Sequence, residues 1–247
     1  MRTFGLIGFP LAHSFSKQFF SKKFEQEGID GCTYELFPME SVELLPSLLE
    51  EHSTLRGINV TIPHKVNILP YLDELDEAAQ EIGAVNCISV EKLNGQTRLK
   101  GYNTDAYGFE ASLKPYLKEY HTKALILGDG GAAKAVKYTL GRLGIAYISV
   151  VRRAVPGALL YEDITPELIS THLLIINTTP LGTFPKVDEA PAIPYELLTS
   201  RHLVYDLVYN PEETAFLKRA KAQGAIVKNG LEMLHLQALR AWSIWNF

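Results

Sequence analysis

Twice along this chain, short apolar runs alternate with segments of helical period, and few architectures accept that pattern. Parallel strands need a long crossover between them, usually a helix, so the alternation reads as βαβ units around mainly parallel sheets. In the first stretch strands fall at 3–8, 32–36, 57–60 and 84–90, with helices at 16–27, 42–50 and 73–82. Asn94-Gly95, between 87–92 and 97–102, signals a two-residue hairpin that closes a first domain. From Lys123 the rhythm restarts with a strand at 124–127, a glycine-rich turn, a helix stopping at Gly144 and a strand at 147–151. Further strands fit 173–177, 203–207 and 225–227, with helices at 214–223 and from 231 to 247. Two α/β domains joined near 105–108 are expected.

Charge and cysteine usage exclude several function classes. There are 24 Lys+Arg against 28 Asp+Glu, a formal net charge of −4, with no block of about five or more like charges, which argues against a nucleic-acid or anionic-membrane footprint. Apolar stretches such as Ile145-Ala146-Tyr147-Ile148-Ser149-Val150-Val151 fall far short of the ~20 residues a transmembrane helix needs. The first residues carry no charged region, apolar core and cleavage site in secretory order, so a cytoplasmic protein is expected. Cys32 and Cys87 have no CxxC spacing and the seven histidines form no HxxxH pair, so neither a disulfide framework nor a metal site is expected.

The turn after the 124–127 strand reads Gly128-Asp129-Gly130-Gly131-Ala132-Ala133, a G-x-G-x-x-A pattern opening a helix. Gly128 permits the tight turn, Gly130 lets a diphosphate approach the backbone, and Ala133 lets helix and strand pack closely. The helix start offers free N–H groups to phosphates. The plainer alternative is a strand-to-helix turn that merely needs positive φ. Asp129 is at odds with a diphosphate unless its side chain faces solvent or caps the helix. An NAD site carries an acid where the second strand ends, but here stand Arg152 and Arg153, which suit a 2′-phosphate and so NADP. They could also be a solvated strand end.

In the first domain Phe9-Pro10-Leu11-Ala12-His13-Ser14-Phe15-Ser16 enters a helix with two hydroxyls beside free N–H groups. That is a place for a carboxylate ligand, although serine is also a favoured N-cap and His13 reads as a packed or turn-bonding residue. Asn59, Thr61 and Lys65 cluster where an apolar strand ends, Asn86 puts an amide in an apolar strand, and Asp105 adds a carboxylate at the domain junction. Ligands of open α/β sheets sit outside the carboxyl ends of strands, so this recurrence points to a site.

Taken together, F-P-x-x-H-S-x-S, N-V-T-x-P-x-K, A-V-N, G-x-N-T-D, the glycine turn, Asn177-Thr178-Thr179-Pro180-Leu181-Gly182, Asp206-Leu207-Val208-Tyr209-Asn210-Pro211 and Gly230-Leu231-Glu232-Met233-Leu234-His235-Leu236-Gln237-Ala238 resemble the shikimate dehydrogenase family. The resemblance runs in order from residue 8 to 238. It implies an N-terminal, mainly parallel α/β substrate domain, a Rossmann-type NADP domain, and a cleft between them that closes to exclude water. The implied reaction is the reversible reduction of 3-dehydroshikimate to shikimate by NADPH in aromatic amino acid biosynthesis. By that resemblance Ser14 and Ser16 hold the substrate carboxylate with Tyr209 nearby. Asn59, Thr61, Asn86, Asp105 and Gln237 bind its hydroxyls, and Lys65 and Asp105 form the catalytic pair. Gly128, Gly130, Gly131, Ala132, Arg152, Arg153 and Thr178 hold NADP, with Met233 near the nicotinamide.

Lys65 is then the proton donor or an electrostatic stabiliser of the alkoxide, with Asp105 orienting it. Gln237 must return to the first domain, which gives 1–104 plus 230–247 for the substrate domain and 105–229 for the NADP domain. Three features depart from the family: Lys17 stands where proline is usual, Asp129 is larger than the common residue, and the segment between Arg153 and Leu173 is short. Two other readings stay open, a quinate/shikimate dehydrogenase using either nicotinamide cofactor and a catalytically silent NADP sensor. The oligomeric state, monomer or homodimer, is not written in the sequence.

Overall fold

A computed structural model describes residues 1–11, 14–93 and 95–246, so the expectations for His13, Asn94 and the last residue of the 231–247 helix lie outside the described residues. The chain divides into two compact units, Met1–Thr104 with Gln237–Phe247, and Asp105–Leu236.

The first unit runs β1 (Arg2–Gly8), α1 (Phe15–Gln26), β2 (Cys32–Pro38), α2 (Leu45–Glu51), β3 (Leu55–Val60), α3 (His64–Asn67), β4 (Glu74–Leu75), α4 (Glu77–Ile82), β5 (Cys87–Leu93) and β6 (Gln96–Tyr102). Its sheet has the order β2-β1-β3-β5-β6-β4, with β1 parallel to β2 and β3, and β5 antiparallel to β3 and β6. β5 and β6 pair antiparallel in register up to Leu93 and Gln96, as a hairpin between them requires.

Local chemistry accounts for where the elements differ from expectation. The helix expected over 42–50 opens as a 3-10 turn capped by Ser41, and α2 begins only at Leu45. The helix expected over 73–82 loses its first turn, because Glu74–Leu75 pairs with β6 and the Asp76 carboxylate caps α4 through the Ala79 N–H at 2.8 Å. The strand expected over 84–90 begins at Cys87. The expected junction near 105–108 coincides with the boundary between the units at Thr104 and Asp105, and it lies within α5 (Thr104–Leu113).

The second unit continues with β7 (Lys123–Leu127), α6 (Gly131–Arg142), β8 (Ala146–Val151), β9 (Ala158–Leu160), α7 (Pro166–Thr171), β10 (Leu174–Asn177), β11 (Leu203–Asp206), α8 (Ala215–Ala222) and β12 (Ile226–Lys228). The last helix, α9 (Leu231–Trp245), starts in this unit and passes into the first at Gln237. All its strand pairs are parallel, in the order β12-β11-β10-β7-β8-β9. The chain order therefore reverses between β7 and β10, where doubly wound sheets bind ligands. β9, which periodicity missed, completes this sheet from the short segment after Arg153.

The central strands of each sheet are buried on both faces. On β7, Ala124 and Ile126 pack with Phe109 and Leu140, while Leu125 and Leu127 pack with Phe216 and Leu217. In the first unit Phe4, Phe20, Tyr34 and Trp245 form an aromatic cluster in which Phe20 stacks on Tyr34 at 4.7 Å and Phe4 on Trp245 at 5.0 Å. The Trp245 indole N–H donates to the Ile88 carbonyl at 3.0 Å, which anchors α9 to this sheet.

Candidate functional site

In the first unit a chain of hydrogen bonds joins the predicted site residues Asn59, Asn86 and Gln237. The Asn86 Oδ1 accepts the Thr104 N–H at 2.7 Å, a group that can only donate, so the orientation of the Asn86 amide is fixed. Its Nδ2 then donates to Thr104 Oγ1 at 3.0 Å and to Gln237 Oε1 at 3.3 Å. The Gln237 amide nitrogen is thereby left as the group offered to a ligand. Asn59 Nδ2 donates to the Asn86 carbonyl at 3.3 Å, which obliges Asn59 Oδ1 to accept the Tyr34 hydroxyl at 2.7 Å. Burial raises the pKa of the Tyr34 phenol well above the ordinary value, and the nearby Ser16 opposes the rise. Asn59 and Asn86 are almost wholly buried, so each amide is placed by its partners.

Ser14 is the N-cap of α1, accepting the Lys17 N–H at 3.3 Å. Lys17 ties the same helix to β2 through Glu35 at 3.0 Å. Thr61 follows β3 directly and its N–H donates to the Ile7 carbonyl at 3.0 Å. Lys65 stands on α3, half-buried, and its carbonyl accepts the Val85 N–H at 2.8 Å. Asp105 is the residue after the anchored Thr104, half-buried on α5, and belongs to the second unit, as does Tyr209, which is 40% exposed.

In the second unit a cavity of about 220 Å³ is lined by Gly128, Asp129, Gly130, Arg152, Tyr161 and Thr178, among others. Gly128 has φ +102, and a Cβ there would meet Thr179 Cγ2 at 2.8 Å. Gly130 differs: a Cβ there would meet no protein atom within 4 Å, so the space it leaves is not filled by packing. Gly130 caps α6 without a side-chain hydrogen bond, and Gly131 and Ala132 begin the helix, so its first N–H groups are left to a ligand. Arg152 and Arg153 stand exposed just past β8, with no carboxylate among the cavity's lining except Asp129. Asp129 is paired with Lys137 at 2.5 Å. These residues fit a nicotinamide dinucleotide: backbone donors for its diphosphate and a guanidinium where a 2′-phosphate would be. Met233 packs in the core with Phe109 and Tyr205 and is not among the cavity's lining.

The sequence reading missed four contributors. Tyr34 and Thr104 hold the amides of the first unit. Tyr161 brings a buried, unpartnered hydroxyl to the nucleotide cavity, its pKa raised by burial against the pull of Arg152. Asp206, fully buried, accepts from Asn177 at 2.9 Å, Val208 N–H at 3.1 Å and Thr214 at 2.6 Å, so one carboxylate organises the loops after β10 and β11. Burial raises its pKa to about 6, and the three hydrogen bonds oppose the rise. Among the described residues no group of acids, histidines and cysteines could hold a metal, and no helix is long and apolar enough to cross a membrane.

Comparison with known proteins places these features. A description of the shikimate dehydrogenase substrate binding domain matches residues 6–88. A shikimate dehydrogenase (NADP(+)) of Clostridium beijerinckii is 40% identical over 256 residues, covering 100% of this chain and 92% of its own. The crystal structure of shikimate 5-dehydrogenase from Thermus thermophilus in complex with NADP(H) and shikimate superposes with a TM-score of 0.84 at 34% identity, covering 100% and 94% of the two chains. A 5-ketofructose reductase of a Gluconobacter strain is similar as well, with a TM-score of 0.84 at 29% identity over 99% and 92%.

Proposed function

The chain belongs to the shikimate dehydrogenase family, and we propose that it reduces 3-dehydroshikimate to shikimate with NADPH, reversibly, in the cytoplasm. The observation that carries this reading is the locked amide network of the first unit. Two backbone groups, the Thr104 N–H and the Asn86 carbonyl, dictate which atoms of Asn59, Asn86 and Gln237 remain for a ligand. A polyhydroxylated ring meets such a surface with its own hydroxyls, and the hydroxyls of Ser14 and Ser16 at the start of α1 suit its carboxylate.

NADPH supplies a hydride when bound. The chain's own residues do the rest: Lys65 delivers a proton to, or stabilises, the oxygen that gains charge, and Asp105 orients the reacting hydroxyl. The glycine turn and the α6 N-terminus bind the diphosphate, Arg152 and Arg153 select the 2′-phosphate, and Thr178, whose hydroxyl is anchored on the Leu127 carbonyl at 2.9 Å, borders the same cavity. Small-molecule substrates are the partners this chemistry calls for.

The test is initial rates with shikimate and quinate, each against NADP⁺ and NAD⁺. Turnover of shikimate with NADP⁺ well above the other three pairs is expected. Equal rates with quinate would move the reading to a quinate/shikimate dehydrogenase, and no turnover with any pair would leave only a nucleotide-binding protein.

A further inference from the structure

A carboxylate inside a phosphate-binding turn should repel the ligand the turn is built for. Asp129 lies between Gly128 and Gly130 and lines the same cavity. Its Oδ1 accepts from Lys137 Nζ at 2.5 Å, across eight residues of sequence, with both side chains about two-thirds buried or more. Lys137 stands on α6 well past its first turn, and side chains on a helix lean toward the N-terminus. The lysine therefore reaches back along the helix to the turn. α6 carries no acid in its first turn, and Asp129 is the one carboxylate among the residues lining the cavity.

We propose that Lys137 is a positioning residue for cofactor binding, neutralising Asp129 and drawing its carboxylate along α6, away from phosphates seated on the glycine turn. This rests on the reading that the turn holds the NADP diphosphate. The pair makes the turn's affinity for a polyanion conditional on an ion pair that the glycine pattern alone does not contain. A partly exposed pair is screened by salt, so its influence is largest at low ionic strength.

The experiment is equilibrium binding of NADP⁺, by calorimetry, to the parent protein and to Lys137→Met, Lys137→Arg and the Asp129→Asn/Lys137→Met double variant, with shikimate binding and melting temperature measured alongside. Lys137→Met should weaken NADP⁺ by roughly tenfold at low salt and by less than about threefold in 0.5 M NaCl, with shikimate affinity unchanged. Lys137→Arg should keep the affinity, and the double variant should recover to within about threefold of the parent, because removing the unpaired carboxylate removes the repulsion. An unchanged Kd in Lys137→Met, or a double variant as weak as the single one, overturns the proposal. A parent protein that does not bind NADP⁺ at all overturns the cofactor reading itself, and the proposal with it.

Discussion

In the first unit the groups offered to a ligand are side chains held by other side chains, whereas in the second they are main-chain N–H groups exposed by glycine. Asn59, Asn86, Thr104 and Gln237 come from four places in the sequence and lock one another. The glycine turn, by contrast, is a single local stretch whose shape is set by a positive φ at Gly128 and by missing side chains. A polyhydroxylated ring has to be distinguished group by group, which needs directed side chains. A diphosphate is common to many cofactors and needs only converging donors, and the distinction between cofactors is the role proposed for Arg152.

The sharpest way to break this contrast is at Lys65, which we propose acts on the reacting oxygen rather than in the framework of the first unit. Lys65→Ala should lower kcat by ~10²–10⁴-fold while leaving shikimate affinity comparatively intact, as steady-state rates and calorimetry will report. Near-normal turnover would remove Lys65 from the catalytic pair.

Asp206 tests the support behind the second unit. Burial holds its carboxyl up to about 6 from an ordinary 3.8, so between those values the folded protein keeps a proton that the unfolded chain has released. Stability contributed by this group is therefore present below pH 4 and is lost as pH rises to about 6. Two pKa units at about 1.4 kcal/mol each come to about 3 kcal/mol. Denaturant melts at pH 4 and pH 7 should show the parent losing that much more than Asp206→Asn; parallel losses would mean the carboxyl is not perturbed.

Arg152→Ala should weaken NADP⁺ by ~1.5–3 kcal/mol, one to two decades, and hardly touch NAD⁺. An equal loss for both cofactors would assign the guanidinium to the diphosphate or to structure. Gly130→Ala sharpens the contrast further, because its new methyl meets no protein atom. NADP⁺ affinity should fall roughly tenfold, about 1.4 kcal/mol, with the melting temperature unchanged. A drop in melting temperature instead would make Gly130 a folding residue.

The smallest effect belongs to Ser14. As an N-cap its replacement by alanine should cost about 1 kcal/mol of stability, and a rise in the Michaelis constant for shikimate should accompany it. A stability loss alone would leave Ser14 as a cap.

These contrasts also explain what could be read from the sequence. The βαβ rhythm, the hairpin and the glycine turn are local patterns, and they appear where periodicity puts them. Ser14 was legible both as a cap and as a ligand group, since one hydroxyl at a helix start serves either role. Tyr34 was not legible, because its partner Asn59 lies 25 residues away and nothing near β2 marks the phenol as more than core. β9 escaped because three residues at a sheet edge carry no period, and Tyr161 escaped with it. The Asp129 puzzle could be stated from the sequence, but its resolution lies eight residues off, across a turn. The junction expected near 105–108 coincides with the boundary between the units at Thr104 and Asp105, but that it lies inside a helix was not legible, because composition does not mark it.

The path of α9 has a consequence for how the molecule is made. The second unit is one continuous stretch of chain, but the first is finished only by residues synthesised after it, including Gln237 of the amide network and Trp245 of the aromatic cluster. At ~5–20 residues per second, the N-terminal sheet waits on the order of ten seconds beside the ribosome with one face covered by α1 but not yet by α9. The nucleotide-binding half can be complete while the half that recognises the substrate still lacks its last wall, so the ability to tell one ring from another is the last property this chain acquires.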